Sequence, residues 1–365
     1  EGKGSATIIN GGLVQAVGVA VGQDIDSQSD LTVTGTNSKL DTEQLYIGGV
    51  GKGIAKIEDG GLIQATNVSI GEKTGSEGDL TVTGINSTLS AYDLAIGNEG
   101  KGSVIISNGA SAIVDGSSLQ GDIFMSLGRQ VSGEGDLTVT GANSTLSAKE
   151  LLIGHQGKGN ATIEDGGLAQ ATAMTIGNKK GSEGKLTVTG TNSKLSVGDY
   201  LEIGYEGKAS ATIANEGFVQ TYVMSIGSEI GSEGDLTVTG ANSQLDAEEL
   251  FIGLEGKGSA IIKDGGSIQA NGTLIGEIVD SEGSLTVTGK NSELNTRYLV
   301  VGAEGKGSAA VAERGSIQAN GPFYIGEYIG GEGNLIVTGS DSRLSANSSL
   351  YIGNAGKGSV TIADG

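Results

Sequence analysis

The sequence predicts an all-β fold, a parallel β-helix (solenoid) of about 15 coils, each with about 24–25 residues and three short strands. Three observations predict it. A repeat with a period near 49 residues runs the length of the chain, apolar and polar residues alternate over short stretches, and the 365 residues include 67 Gly but only 1 Pro. Period-two alternation is typical of strands, and abundant glycine without proline indicates many tight turns between regular elements.

Two sequence blocks alternate within this repeat. One contains a Gly-Lys-Gly or Gly-Lys-Ala turn and the other a Leu-x-Val-Thr-Gly strand, as in DLTVTGTNSKL from Asp30. Segments 51–71 and 76–97 align with each other, so the 49-residue repeat is interpreted as a pair of coils. The lysine turn recurs too often to be a nucleotide-phosphate loop, and a structural role is favoured. We predict a single continuous β-helix segment over residues 1–365.

Each coil is built from three alternating stretches in a fixed order. In the coil 76–97 they are 80–82, 89–91 and 94–96, separated by Gly, Asn and Ser turn residues. The Leu, Val and Ile side chains share one parity and are predicted to face inward, while Thr and Ser face outward. One coil cannot bury its apolar face alone, whereas stacked coils form a continuous core.

The lysine turns fall in register with glutamates of the other block. Aligning the half-repeats places Lys52 on Glu77, so opposite charges about 5 Å apart alternate along one corner of the predicted helix. Such a Lys/Glu ladder disfavours register slippage, which would bring like charges together. The ladder comprises Lys52, Glu77, Lys101, Glu134, Lys158, Glu183, Lys208, Glu233, Lys257, Glu282, Lys306, Glu332 and Lys357. Lys3 aligns instead with Gln28.

Composition narrows the function classes. The 43 Asp and Glu against 22 Lys and Arg give a net charge of −21, which disfavours nucleic acid and anionic membrane surfaces as partners. Cysteine is absent, so disulfides and thiolate chemistry are excluded. No apolar stretch is long enough for a membrane span, and the nine-residue period of calcium-binding β-rolls is missing. We expect no cofactor and no metal site, and we interpret the chain as a segment of a longer protein.

The sequence offers little support for an enzyme. The single histidine, His155, occupies a turn position where other coils carry Asn, Tyr, Leu or Ala, and an exposed turn residue is the expected role. Acidic residues recur at equivalent turns, such as Glu58-Asp59 and Glu164-Asp165, as solvated corners do. Paired-carboxylate catalysis needs two acids in one cleft with separated pKa values, and this pattern does not indicate that.

Two departures from regularity are candidate partner-binding sites. The interval between Lys101 and Lys158 holds about eight extra residues, placed near 116–123, and loops on repeat scaffolds often bind partners. A solvated insertion without function is the alternative. The candidate loop residues are Gly116, Ser117, Ser118, Leu119, Gln120, Gly121 and Asp122.

The second departure is an apolar stripe toward the C-terminal end of the sequence. The outward residue of the third strand is apolar on five successive coils, namely Phe251, Leu274, Val300, Tyr324 and Tyr351. A contiguous exposed apolar stripe would suggest a protein partner, another copy of the chain or a carbohydrate surface. The preference of strands for β-branched and aromatic residues is an equally good explanation.

The repeat resembles a known family. Units such as IGNEGKGSVIISNGA (96–110), GSEGDLTVTGANSQL (231–245) and LFIG (250–253) are similar to the autotransporter-associated repeats of bacterial type V secretion passengers. The resemblance implies a right-handed β-helix, export through the outer membrane by a C-terminal translocator barrel outside this segment, and display on the bacterial surface or release. The NS-x-L turn departs from the family pattern.

Passengers of this family have several activities, and the sequence leaves three open. The first is a surface adhesin or self-association factor acting in host-cell attachment or biofilm. The second is a released virulence effector that binds a host cell-surface receptor as a ligand. The third is an inert spacer. Expected partners are a host cell-surface or matrix protein, or a second copy of the chain.

Overall fold

The computed structural model describes residues 2–116 and 125–364. The fold is an all-β parallel β-solenoid of about 14 turns, close to the predicted number. The chain divides into two compact units. The first comprises Glu1–Met174, Gly181–Leu186 and Asn192–Leu195, and the second comprises Thr175–Lys180, Thr187–Thr191 and Ser196–Gly365. The prediction of one continuous domain stays a prediction.

Strands of six or seven residues begin each turn. They are β1 (Lys3–Ile8), β3 (Gln28–Thr34), β5 (Lys52–Glu58), β7 (Glu77–Thr83), β9 (Lys101–Ser107), β12 (Glu134–Thr140), β14 (Lys158–Glu164), β16 (Glu183–Thr189), β18 (Lys208–Ala214), β20 (Glu233–Thr239), β22 (Lys257–Lys263), β24 (Glu282–Thr288), β26 (Lys306–Ala312), β29 (Glu332–Thr338) and β32 (Lys357–Ala363).

Longer strands or pairs of short strands complete each turn. They are β2 (Leu13–Val21), β4 (Lys39–Ile47), β6 (Leu62–Ile70), β8 (Thr88–Ile96), β10 (Ser111–Val114), β11 (Met125–Leu127), β13 (Thr145–Ile153), β15 (Leu168–Ile176), β17 (Lys194–Ile203), β19 (Phe218–Ile226), β21 (Gln244–Ile252), β23 (Ser267–Ile275), β25 (Glu293–Val301), β27 (Ser316–Ala319), β28 (Phe323–Ile325), β30 (Arg343–Ala346) and β31 (Leu350–Ile352).

Within each unit, strands pair in parallel with the equivalent strands of neighbouring turns. In the first unit the short strands follow the order β1-β3-β5-β7-β9-β12-β14, and in the second unit β18-β20-β22-β24-β26-β29-β32. Equivalent residues stay in register, so Gly78, Leu80 and Val82 pair with Gly53, Ala55 and Ile57 of the preceding turn. The inward Leu, Ile and Val of turns that have neighbours on both sides are almost completely buried, as the alternation predicts, whereas Ile352 and Ile362 of the last strands are exposed.

The predicted second and third strands form one continuous strand in most turns. In β8 the inward residues are Leu89, Ala91, Leu94 and Ile96, so the parity shifts by one residue between Ala91 and Leu94. Residue 92 is skipped in the pairing with β6, and the strand bends there without ending. Three separate strands remain where the second stretch is interrupted, as between β27 and β28.

The Asn-Ser turn after each Leu-x-Val-Thr-Gly strand links neighbouring turns of the solenoid. Its Asn takes the left-handed conformation, with φ of 65° at Asn86, which Asn tolerates better than most residues. The following Ser87 is fully buried, and its hydroxyl accepts a 3.1 Å hydrogen bond from the Gly60 N–H of the preceding turn. The equivalent serines Ser38, Ser144, Ser193, Ser243, Ser292 and Ser342 accept the same bond at 3.0–3.2 Å.

The insertion predicted near 116–123 falls between β10 and β11. Both strands pair with β8 on one side and β13 on the other, so together they take the place of one long strand. Of the candidate loop residues, Gly116 is described and has a φ of 36°. The candidates Ser117, Ser118, Leu119, Gln120, Gly121 and Asp122 lie outside the described residues.

Candidate functional site

The Lys/Glu ladder has the register that the sequence alignment gave. Lys52 pairs with Glu77 and Glu77 with Lys101 in the first unit, and the same alternation runs from Lys208 to Lys357 in the second. The ion pairs are Lys52–Glu77 (3.2 Å), Lys101–Glu134 (3.4 Å), Lys158–Glu183 (3.7 Å), Lys208–Glu233 (2.7 Å), Lys257–Glu282 (3.0 Å) and Glu332–Lys357 (2.7 Å).

The ladder surface in the second unit is a shallow groove of about 480 Å³. Glu233, Lys257, Glu282 and Lys306 line it, and buried glycines form its floor. The Lys208 ammonium hydrogen-bonds the Glu233 carboxylate and lowers its pKa, and Lys357 does the same for Glu332. Each glutamate of this groove has a lysine in register with it, whereas Asp235 is in register with Ser210 and Ser259.

The five stripe residues occupy successive turns of the second unit. Phe251 pairs with Leu274, Leu274 with Val300, Val300 with Tyr324 and Tyr324 with Tyr351. Tyr324 and Tyr351 stack with ring centroids 4.8 Å apart and planes inclined by 7°. The stripe is not uniformly exposed, because Val300 is only 3% exposed whereas Tyr351 is 40% exposed.

Beside the stripe lies a deeper depression, which we call the tyrosine groove. It has a volume of about 620 Å³, and the stripe residues Leu274, Val300 and Tyr324 form part of its wall. The remaining lining residues are Glu249, Asn271, Glu277, Arg297, Tyr298, Pro322, Glu327 and Tyr328.

Two small residues, each in register with larger residues of the neighbouring turns, help to form the tyrosine groove. Gly272 lies in register between Glu249 and Tyr298, and a Cβ there would overlap the Tyr298 hydroxyl and the Glu249 carboxylate. Because the glycine has no side chain, Tyr298 reaches across it and donates a 2.6 Å hydrogen bond to Glu249 Oε2. Ala303 is the second small residue, at the turn position between those of Glu277 and Glu327.

The carboxylates of the tyrosine groove are held in an unfavourable electrostatic environment. Burial raises the pKa of Glu277, and the nearby Glu327, Glu304 and Glu249 raise it further. Glu277 Oε2 is shielded from solvent and accepts no hydrogen bond from any residue that the structure describes. Burial also raises the pKa of Glu327, an effect that a hydrogen bond from Tyr328 partly offsets. The Tyr298 pKa is raised by burial and by its bond to Glu249.

Sequence reasoning found one wall of this groove and missed the acidic side. The missed residues are Glu249 and Tyr298, two positions before the stripe column, and Glu277 and Glu327, directly after the Ile-Gly that closes a turn. Comparing the residues at each of these two positions in successive coils would have shown the acids and the tyrosine on neighbouring turns. The stripe was predicted because its position was compared between coils in this way.

His155 differs from its predicted role. It was expected to be an exposed turn residue, but it is only 6% exposed. Its backbone N–H donates to the Leu127 carbonyl oxygen at 3.1 Å, which holds the turn against the preceding one. The His155 side chain is therefore buried rather than exposed at the turn.

Within residues 2–116 and 125–364, no group of three or more His, Asp or Glu side chains is arranged to hold a metal ion. Nor do these residues include a helix of the length and apolarity needed to cross a bilayer.

Comparison with known proteins gave one similarity worth reporting. No family model matches the sequence, and no curated protein is significantly similar to it. Among solved structures, the chain is similar to the crystal structure of a TibC-catalyzed hyper-glycosylated TibA55-350 fragment, with 12% sequence identity and a TM-score of 0.47. The alignment covers 100% of this chain and 97% of that one.

Proposed function

We propose that this chain is part of an autotransporter passenger, exposed on the bacterial surface or released, and acts as an adhesin or self-association factor. The observation that carries the proposal is the stripe of Phe251, Leu274, Val300, Tyr324 and Tyr351, aligned on consecutive turns. Aromatic side chains supply large contact areas at protein interfaces. The repeat motifs, the parallel solenoid and the absence of cysteine support the passenger assignment.

The contact is proposed to be centred on the stacked tyrosines. Tyr351 and Tyr324 stack on each other and form a continuous aromatic cluster, which suits contact with a host cell-surface or matrix protein or with a second copy of the chain. A C-terminal translocator barrel would belong to the full-length protein. No role in catalysis is proposed.

A binding assay with two tyrosine variants tests the adhesin proposal. The purified chain is applied to cultured host cells and immobilised matrix proteins, and its self-association is measured by analytical ultracentrifugation. Tyr324→Ala combined with Tyr351→Ala should weaken the interaction at least about tenfold, as loss of an aromatic hot spot does. The matched control is Tyr222→Ala, since Tyr222 lies in the same unit and is 61% exposed.

The possible outcomes separate the three functions. Loss of attachment or self-association in the double variant alone supports the adhesin and locates its contact surface. Equal loss in Tyr222→Ala would argue against the stripe as the contact. If the wild-type chain neither attaches nor self-associates, but cultured cells respond to it in solution, the released ligand replaces the adhesin. If all three are absent, the spacer is the better description.

A further inference from the structure

The tyrosine groove carries more negative charge than its own residues neutralise. Three carboxylates line it, from Glu249, Glu277 and Glu327, and Arg297 is the one cationic residue in its wall. Arg297 is exposed at the rim. The ladder groove of the same unit, by contrast, has a lysine in register with each glutamate that lines it.

Glu277 identifies the kind of group that is missing. Its Oε2 is shielded from water and has no hydrogen-bond donor in the described part of the chain. A buried acceptor without a donor costs free energy, and hydrogen bonds to a charged acceptor are among the strongest in proteins. The Glu277 side chain lines the groove, so a cationic N–H donor bound there would supply the opposite charge to this carboxylate.

The rest of the wall suits an alkyl chain rather than a bare metal ion. Tyr298, Tyr324 and Tyr328 surround the groove, and Leu274 and Pro322 add apolar surface. Aromatic faces attract ammonium groups, and alkyl stems pack against apolar surface while their charged ends remain solvated. The volume of about 620 Å³ is within the range of small-molecule sites.

We propose that the tyrosine groove binds a linear alkylammonium ion with more than one ammonium group, a polyamine. One ammonium group pairs with Glu277 and Glu249, the alkyl chain lies over Leu274 and Tyr324, and a second ammonium group reaches Glu327. Glu277 and Glu327 belong to positions two turns apart, or about 10 Å along the stack at about 4.8 Å per turn. This inference goes beyond the proposed function and holds for an adhesin, a ligand or a spacer.

Titration calorimetry with spermidine tests the proposal. It is performed on the full chain in buffer with 0.15 M NaCl, so that weak attraction to the net charge of −21 is screened. Glu277→Gln keeps the shape of the side chain and removes its charge, and it should weaken spermidine binding about tenfold or more. Gly272→Ala, which displaces Tyr298 and Glu249, should weaken it as well.

Asp235→Asn is the matched control. Asp235 is an exposed carboxylate that lines the ladder groove, so this variant removes the same charge from the same unit but from outside the tyrosine groove. Its spermidine affinity should stay within about twofold of wild type. An equal loss in Asp235→Asn and Glu277→Gln would show nonspecific binding to a polyanion and overturn the proposal. No spermidine binding to the wild-type chain would overturn it too.

Two further probes define the ligand chemistry. N-acetyl-lysine amide carries one ammonium group and should bind at least about tenfold more weakly than spermidine, because it cannot reach both ends of the groove. Equal affinity would overturn the two-ended arrangement. Maltose tests a neutral sugar, and maltose binding that Glu277→Gln abolishes, without spermidine binding, would reassign the groove. Circular dichroism melts of every variant check that the fold is retained.

Discussion

The ladder groove and the tyrosine groove lie in the same unit and use the same repeat in opposite ways. Along the ladder every turn contributes the expected residue, charges alternate and the glutamate pKa values of Glu233 and Glu332 are lowered by lysines. In the tyrosine groove Gly272, Ala303 and Tyr298 occupy positions at which the residue varies from turn to turn, and burial raises the pKa of Glu277. The repeated positions therefore build the scaffold, and the variable positions create the candidate binding site.

The largest effect is expected where the backbone of the ladder corner is most crowded. Gly253 has a φ of 70°, and an added Cβ would overlap the Glu282 carbonyl oxygen at the start of β24. Because backbone atoms cannot move aside cheaply, Gly253→Ala should lower the free energy of unfolding by about 3 kcal/mol or more, measured by urea denaturation. Gly231→Ala is the control, since Gly231 has a φ of 84° but open space around it. Its cost should be about 1 kcal/mol. Equal costs would show that crowding at the corner is unimportant.

The same substitution in the tyrosine groove should cost less stability but change the site. At Gly272 the obstructing atoms belong to the side chains of Tyr298 and Glu249, which can rotate away. Gly272→Ala should break their hydrogen bond and lower the free energy of unfolding by about 1 kcal/mol. The measurement is a urea titration together with the loss of spermidine binding. A cost as large as that of Gly253→Ala would mean that the groove is as rigid as the ladder corner.

The ladder and the tyrosine groove also show which features of the structure the sequence could predict and which it could not. The register of Lys52 with Glu77 follows from a period that is visible in the letters, because equivalent residues must stack in a parallel solenoid. The packing of Tyr298 over Gly272 depends on two single departures in adjacent turns, which no period reveals. Likewise the bend within β8 and the burial of Ser87 depend on hydrogen bonds between turns, which alternation alone does not encode.

Reversing one charge of the ladder should have a modest effect. Lys101→Glu places a glutamate in register between Glu77 and Glu134 and removes the 3.4 Å ion pair with Glu134. The side chains are exposed, so the loss in unfolding free energy should be below about 1 kcal/mol and should shrink in 1 M NaCl. Lys101→Gln, which adds no like charge, should lose less. A large loss that salt does not reduce would mean that this lysine stabilises the fold through packing rather than charge.

The smallest predicted effect is a difference in sign between Glu332 of the Lys/Glu ladder and Glu277 of the tyrosine groove. The Glu332 pKa is lowered in the folded chain, first by its hydrogen bond with Lys357, so its stabilisation is present above the unfolded pKa and is lost as pH falls through the folded value. The Glu277 pKa is raised, first by burial, so its ionisation destabilises the fold as pH rises from the unfolded to the folded value.

Urea unfolding of two matched variants at pH 7 and pH 4 measures this contrast. Glu277→Gln should be more stable than wild type at pH 7, and Glu332→Gln should be less stable. Both differences should shrink at pH 4, where the wild-type glutamates take up protons. Both should also be small, because Glu332 is exposed and Glu277 is only half-buried, so water screens their charges. If Glu277→Gln is less stable than wild type at pH 7, the carboxylate has a favourable partner in the folded chain and the electrostatic contrast between the ladder and the tyrosine groove fails.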